Sequence, residues 1–175
     1  MKIVFFGSSD FSCPILEKLC GAHEVLAVIT TPAKPQGRGL KFLANPVETA
    51  STSKGLRCFA PPKLKDDPMR EKIRGLGCDV FVVASYGKIL PPDWLSIPAK
   101  YPLNIHPSML PKYRGAAPVN WQLIRGESAA GVTIFKMSEG LDSGDIALQR
   151  EVLLTGEDDA MSLLAKTSAL SGDMI

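Results

Sequence analysis

Two histidines and four cysteines are all that this chain of 175 residues offers a borderline-soft metal, and no two of the cysteines stand in C-x-x-C spacing. A zinc site, or any other metal centre, is therefore not expected. Excess charge is scarce too: twenty Lys and Arg against eighteen Asp and Glu leave a formal +2. The molecule as a whole is no polycation, so any affinity for nucleic acid has to come from a local patch. No stretch approaches the roughly 18 apolar residues of a membrane span, and the N-terminus does not join a basic start to a long apolar run. Neither a membrane nor DNA is expected as a partner. Cys13, Cys20, Cys58 and Cys78 read as small buried hydrophobes in a reduced, cytoplasmic setting. Two signatures are also missing. No G-x-S-x-G elbow presents a serine nucleophile, and the glycine fingerprint of a dinucleotide site does not follow the first apolar run.

What is present is an ordinary globular composition, 45% hydrophobic and 22% charged, in a length that suits one domain with a well-buried core. Short apolar runs alternate with helical periodicity. KIVFFG (2–7) reads as a buried strand, and the stretch from Asp10 to Leu19 sets Phe11, Ile15, Leu16 and Leu19 on one helical face. EVLAVIT (24–30) is a second strand, and TPAKPQGRGLKF after it is too rich in proline and glycine for regular structure. VETASTSKG (47–55) predicts a short helix, RCFAP (57–61) a strand, DPMREKIRGLG (67–77) a glycine-closed helix and CDVFVVASYG (78–87) the most apolar strand. A further strand ends near His106, and a helix follows over 118–125. GVTIFKMS (131–138) and GDIALQREVLL (144–154) are expected to pair antiparallel. The last segment, from Asp159, puts Met161, Leu164 and Leu170 on one side of a helix.

Strands alternating with helices predict an α/β fold, Rossmann-like and doubly wound, with a mostly parallel sheet and helices on both faces. In such sheets the ligand crevice lies beyond the carboxyl ends of the strands. That rule gives meaning to LNIHPSMLPKYRGAAPVNWQ (103–122), where a strand ends in Asn104 and His106 and a stiffly turned, proline-rich stretch follows. Tyr86 and Gly87 end the preceding strand, and Asp142 sits in the tight GLDSGD loop (140–145). Taken singly, each polar residue is an ordinary turn former or a partly buried histidine. Together they put an amide donor, an imidazole and a carboxylate at one sheet edge, a set suited to acyl transfer. Cys78 begins an apolar strand with no nearby base, so the set points to direct transfer between two bound substrates.

NIHPSMLPKYRGAAP with GVTIFKMSEGLDSGDI, preceded by VVASYGKILP, resembles the folate-dependent formyltransferases, and within them the branch that formylates methionyl initiator tRNA. The likeness runs over essentially all of the chain. It implies a formyltransferase catalytic domain over 1–175, with a C-terminal β-barrel domain of the family absent from this chain. It further implies Asn104, His106 and Asp142 as the catalytic trio and 10-formyltetrahydrofolate as the formyl donor. The folate is expected to lie against Tyr86, Gly87, Lys88, Ile89 and Leu90 and against the turn Ser108, Met109, Leu110 and Pro111, with Gly140 and Leu141 near its pterin. The prolines and glycines after the strand then make a rigid wall for a flat cosubstrate.

The acceptor is a separate question. A glycinamide ribonucleotide transformylase places a phosphate-cradling glycine loop after the first strand, where FGSSDF offers only Gly7. Sugar-nucleotide N-formyltransferases share the H-x-S-x-L-P-x-Y-R-G core, and a non-catalytic nucleotide-binding module is the reading from another class. GAAP (115–118) and the basic loop KPQGRGLK (34–41) resemble the tRNA branch instead. Lys34, Arg38 and Lys41 are thus the expected tRNA-binding residues, with arginine suited to forked contacts to phosphates and stacking on bases.

Overall fold

A computed structural model describes residues 1–36, 41–65 and 68–175. Arg38 lies outside them, and of Lys34 and Lys41 only the backbone is described. Seven of the strands among the described residues form one sheet in the order β5-β2-β1-β6-β7-β8-β9. These are β1 (Lys2–Gly7), β2 (Glu24–Ile29), β5 (Cys58–Phe59), β6 (Val80–Ala84), β7 (Tyr101–His106), β8 (Ala129–Lys136) and β9 (Ile146–Leu153). The first five run parallel, and β8 and β9 continue the sheet antiparallel. The α/β expectation holds, with the antiparallel pairing of the last two strands.

β1 and β6 are apolar on both faces because both faces are covered. Ile3, Phe5, Val80 and Val82 enter one core with Phe11, Leu16 and Ile105. Val4, Phe6, Phe81 and Val83 enter the other with Tyr86, Leu90 and Trp94. Trp94, fully buried, satisfies its indole by donating from Nε1 to the Leu64 carbonyl at 3.0 Å. On the first face, helix α1 (Ser12–Ala22) starts directly after the β1 turn. Gly7 makes this possible, since a Cβ there would stand 2.7 Å from the Ser12 Cβ. The Ser12 hydroxyl then donates to the Ala84 carbonyl at 2.6 Å, fastening the helix to the carboxyl end of β6.

Three expectations change. The proline- and glycine-rich segment after β2 is not wholly irregular, since β3 (Lys34–Gln36) and β4 (Lys41–Leu43) form a separate antiparallel ribbon. A two-stranded ribbon consists of edges alone, where Pro35 is tolerated despite its missing N–H. Helix α2 (Pro46–Ser53) follows, with Asn45 as its N-cap. After α3 (Met69–Arg74) a one-turn helix, α4 (Pro92–Leu95), occupies PPDWL, where none was expected. Beyond α5 (Pro118–Ile124), helix α6 (Ala160–Met174) does not bury Met161, which is 81% exposed. Its inward face carries Leu163, Thr167, Ser168, Ser171 and Gly172. The hydroxyls of Thr167 and Ser171 donate to the carbonyls four residues back, at 2.8 and 2.6 Å, which lets a polar face enter the core.

Candidate active site

The carboxyl ends of β6 and β7 open into a cavity of about 630 Å³. Parallel pairing sets Asn104 beside Val83 and Ile105 beside Ala84. Side chains alternate along a strand, so Asn104 and His106 share the face of the Val83 core while Ile105 belongs to the opposite one. Asp142 arrives from the loop between β8 and β9 with φ +45°, a left-handed conformation that a short polar residue tolerates.

The three residues meet through this carboxylate. Its Oδ2 accepts from the Gly115 backbone N–H at 2.8 Å and stands 3.7 Å from His106 Nδ1, and its Oδ1 faces the Asn104 amide nitrogen at 3.5 Å. Gly115 holds Asp142 firmly, while the amide and the imidazole sit at distances that a bound substrate can shorten. The side chains of His106 and Asp142 are only 7% and 10% exposed, so water screens their interaction weakly. The His106 Nε2 lies 2.8 Å from the Tyr113 carbonyl. A carbonyl only accepts, so Nε2 carries a proton and Nδ1 is the nitrogen turned to Asp142.

That arrangement depends on residues the sequence reading passed over. Tyr113 has φ +59° and Ala117 φ +55°, which folds 113–117 back over His106. The turn is anchored from outside: Tyr113 Oη donates to Glu127 Oε1 at 2.6 Å and Lys112 Nζ lies 3.1 Å from the same oxygen. The Tyr113 hydroxyl, with Lys112 beside it, holds the Glu127 carboxyl below the usual carboxylate range. The Arg114-Gly115 step was the available signal, since Gly115 has φ +85°.

The remaining expected residues divide. Tyr86, Gly87, Lys88, Ile89 and Leu90 line the cavity, as do Gly140 and Leu141. The Tyr86 ring, however, is buried and stacks edge-on against Phe6 at 5.5 Å between centroids. The Lys88 ammonium donates to the carbonyls of Pro61 and Pro62 at 2.7 and 3.0 Å, tying down the 85–90 loop. Ile89 and Leu141 stay 81% and 64% exposed at the cavity.

Ser108, Met109, Leu110 and Pro111 are not part of the lining. Their turn packs back onto β8 and β9 instead. Thr133 Oγ1 donates to the Ser108 carbonyl at 2.6 Å, and Gln149 Nε2 donates to that of Leu110 at 2.8 Å. Met109 fills space left by Gly131, and the wall position expected for this turn is taken by 115–120. Cys78 is no alternative nucleophile, because burial pushes its thiol up to about 11. Among the described residues no His, Cys, Asp and Glu group is placed to hold a metal ion, and no helix is long and apolar enough to cross a membrane.

The chain is 41% identical over 177 residues to the methionyl-tRNA formyltransferase of Caldanaerobacter subterraneus subsp. tengcongensis, covering 100% of this chain and 57% of that protein. To the enzyme of the same name from Pelotomaculum thermopropionicum it is 46% identical over 161 residues, covering 91% and 51%. The chain thus spans about half the length of the curated relatives it matches. The solved phosphoribosylglycinamide formyltransferase of Bacillus halodurans superposes with a TM-score of 0.78 at 24% identity, over 99% of this chain and 91% of that one. Glycinamide ribonucleotide transformylase 1 of Symbiobacterium toebii gives 0.78 at 22%, over 99% and 83%. At those identities the likeness is one of fold. The family described as formyl transferase matches residues 1–175 in full, and the chain belongs to it.

Proposed function

We propose that this chain carries the site at which the formyl group of 10-formyltetrahydrofolate passes to the α-amino group of methionyl initiator tRNA. The observation that carries the reading is the Asp142 carboxylate facing both the Asn104 amide and the His106 imidazole inside one cavity. The relatives' names point to methionyl-tRNA as the acceptor of a formyl group. Two exposed apolar side chains at the cavity, Ile89 and Leu141, fit a flat and partly apolar cosubstrate better than a sugar phosphate.

In this reading the neutral amine attacks the formyl carbon, the bond from that carbon to the folate nitrogen breaks, and the nitrogen recovers a proton. An α-amino group with a pKa of about 7.7–8.0 is partly neutral at physiological pH, so modest base assistance suffices. Asp142 accepts the amine proton, directly or through water. The Asn104 amide donates to the formyl oxygen as negative charge develops on it. With Nε2–H engaged by Tyr113, any proton that His106 shares with the site leaves from Nδ1. Lys34, Arg38 and Lys41 serve the acceptor arm of the RNA.

The test is formyl transfer from 10-formyltetrahydrofolate by the full-length protein to methionyl initiator tRNA and, in parallel, to an amino-sugar nucleotide. Turnover on the tRNA alone is expected. Preference for the sugar nucleotide would reassign the acceptor, and transfer to neither would overturn the reading.

A further inference from the structure

The two tryptophans of the chain meet opposite fates. Trp94 is fully buried, whereas Trp121 on α5 is 48% exposed and Ile124, one turn on, is 69% exposed. Helix α5 turns Val119 and Gln122 inward. Residues three and four apart share a helix face, so Asn120, Trp121, Ile124 and Arg125 make one outer stripe. The stripe starts at the cavity, because Asn120 is part of its lining. Gln122 Nε2 donates to the carbonyls of Pro107 and Pro118 at 2.9 and 3.0 Å, which ties the helix to the residue after His106. The exposed indole is thereby held at a set place relative to the strand end that carries Asn104 and His106.

The charges around this stripe are of one sign. Arg125 caps α5 at its C-terminal end and Arg114 stands in the turn that walls the cavity, both exposed. Among the described residues no carboxylate pairs with either guanidinium. Glu127, the acidic residue nearest to Arg125 in the chain, is engaged by Tyr113 and Lys112 instead. An exposed aromatic ring with guanidinium groups nearby suits single-stranded nucleic acid, since every base has a face that stacks on a ring and the cations take the phosphates. An apolar protein surface laid on the same stripe would bury positive charge with no counter-charge in return.

We propose that the outer face of α5, centred on Trp121, is a stacking platform for the unpaired nucleotides that link the acceptor's amino acid to the paired arm of the RNA. The inference rests on the reading that the acceptor is an aminoacyl-tRNA. An amino acid esterified to the last ribose brings the nucleotides before it to the cavity rim when its amine reaches Asp142. A base stacked on Trp121 there orders an otherwise flexible end, and the fixed position of α5 passes that order on to the amine. Ile124 extends the apolar surface under the base, and Arg125 and Arg114 supply charge for the phosphates on either side.

The experiment follows formyl transfer by the full-length protein to methionyl initiator tRNA, inhibited by the uncharged tRNA either intact or with its unpaired 3′ nucleotides removed. The readout is the ratio of the two inhibition constants. Loss of a stacked base costs about tenfold, so wild type is expected to favour the intact inhibitor by at least that factor. Trp121→Ala is expected to lower the ratio by about tenfold and to raise the KM for methionyl-tRNA by a like amount, with the KM for the folate unchanged. Trp121→Phe keeps a ring and is expected to keep most of the ratio. A ratio that Trp121→Ala leaves unchanged overturns the platform, points to a protein partner for the stripe and leaves the acceptor reading intact. Absence of transfer from wild type to methionyl-tRNA overturns the acceptor reading and the platform with it. If Trp121→Ala does not fold, Trp121→Gln removes the same ring and is judged on the same ratio.

Discussion

In the proposed reading Asn104 and Asp142 carry the chemistry, and their structural duties are small enough to make that role separable from folding. Asn104 reaches Asp142 at 3.5 Å, a weak contact, and the strand around it is held by its ladder and by Ile105 in the core. Removing a donor to a developing oxyanion costs about 10²–10³ in turnover. Asn104→Ala is therefore expected to lose formyl transfer by that factor with nearly the wild-type denaturation midpoint. Asp142→Ala removes the base and also the acceptor of the Gly115 N–H, so it should lose at least as much activity and a little stability. Near-normal turnover in both variants would remove the trio from the mechanism.

At the level of elements, the loop between β8 and β9 decides where Asp142 stands. A Cβ on Gly144 would overlap the Lys136 carbonyl oxygen, so Gly144→Ala forces the loop away from β8. A cost of about 1–3 kcal/mol in unfolding free energy is expected, with an activity loss well beyond it because Asp142 moves too. A denaturant titration beside an activity assay separates the two effects. The start of α6 offers a second test. Asp158 accepts from Lys166 Nζ at 2.7 Å, from the Thr155 N–H at 2.8 Å and from the Ser162 hydroxyl at 2.8 Å. These partners, Lys166 foremost, hold its carboxyl well below the usual carboxylate range. A carboxylate depressed in this way stabilises the folded state fully above its unfolded value of about 3.9, and the gain is lost as the pH falls below it. Asp158→Asn should thus lower the midpoint at pH 7, and the gap to wild type should begin to narrow only as the pH falls below about 4, closing at a pH well below that. A gap independent of pH would show that the charge contributes nothing.

On the scale of the whole molecule, a formal charge of +2 gives little general attraction to RNA, and local cations have to supply it. The basic loop departs from a fixed base. Asn45 accepts from Thr30 Oγ1 at 2.9 Å, donates to the Thr31 carbonyl at 2.7 Å and caps α2 through the Glu48 N–H. In the proposed reading Arg38→Ala raises the KM for methionyl-tRNA and flattens its salt dependence, while the KM for the folate stays unchanged. Steady-state kinetics with each substrate varied at several salt concentrations checks this. An equal loss toward both substrates would take the loop out of RNA recognition.

The alternation of apolar runs with helical periodicity determined the α/β architecture, because period and burial on two faces are local properties of a sequence. The polar ending of β7 likewise marked Asn104 and His106, and the Asp142 loop was legible from its glycines. What only the tertiary structure decided is what these residues touch. The turn at 108–111 looked like a cavity wall, yet Thr133 and Gln149 of the antiparallel strands draw it outward, and no local pattern encodes those partners. Met161 looked like a core residue by spacing, yet α6 buries its hydroxyl-bearing face because small side chains allow the close approach to α1 that Gly172 and Lys18 mark. The proton on His106 Nε2 is likewise set by the Tyr113 carbonyl, seven residues on. A strand-end histidine is visible in one dimension, but its tautomer depends on which acceptor the fold brings to its ring.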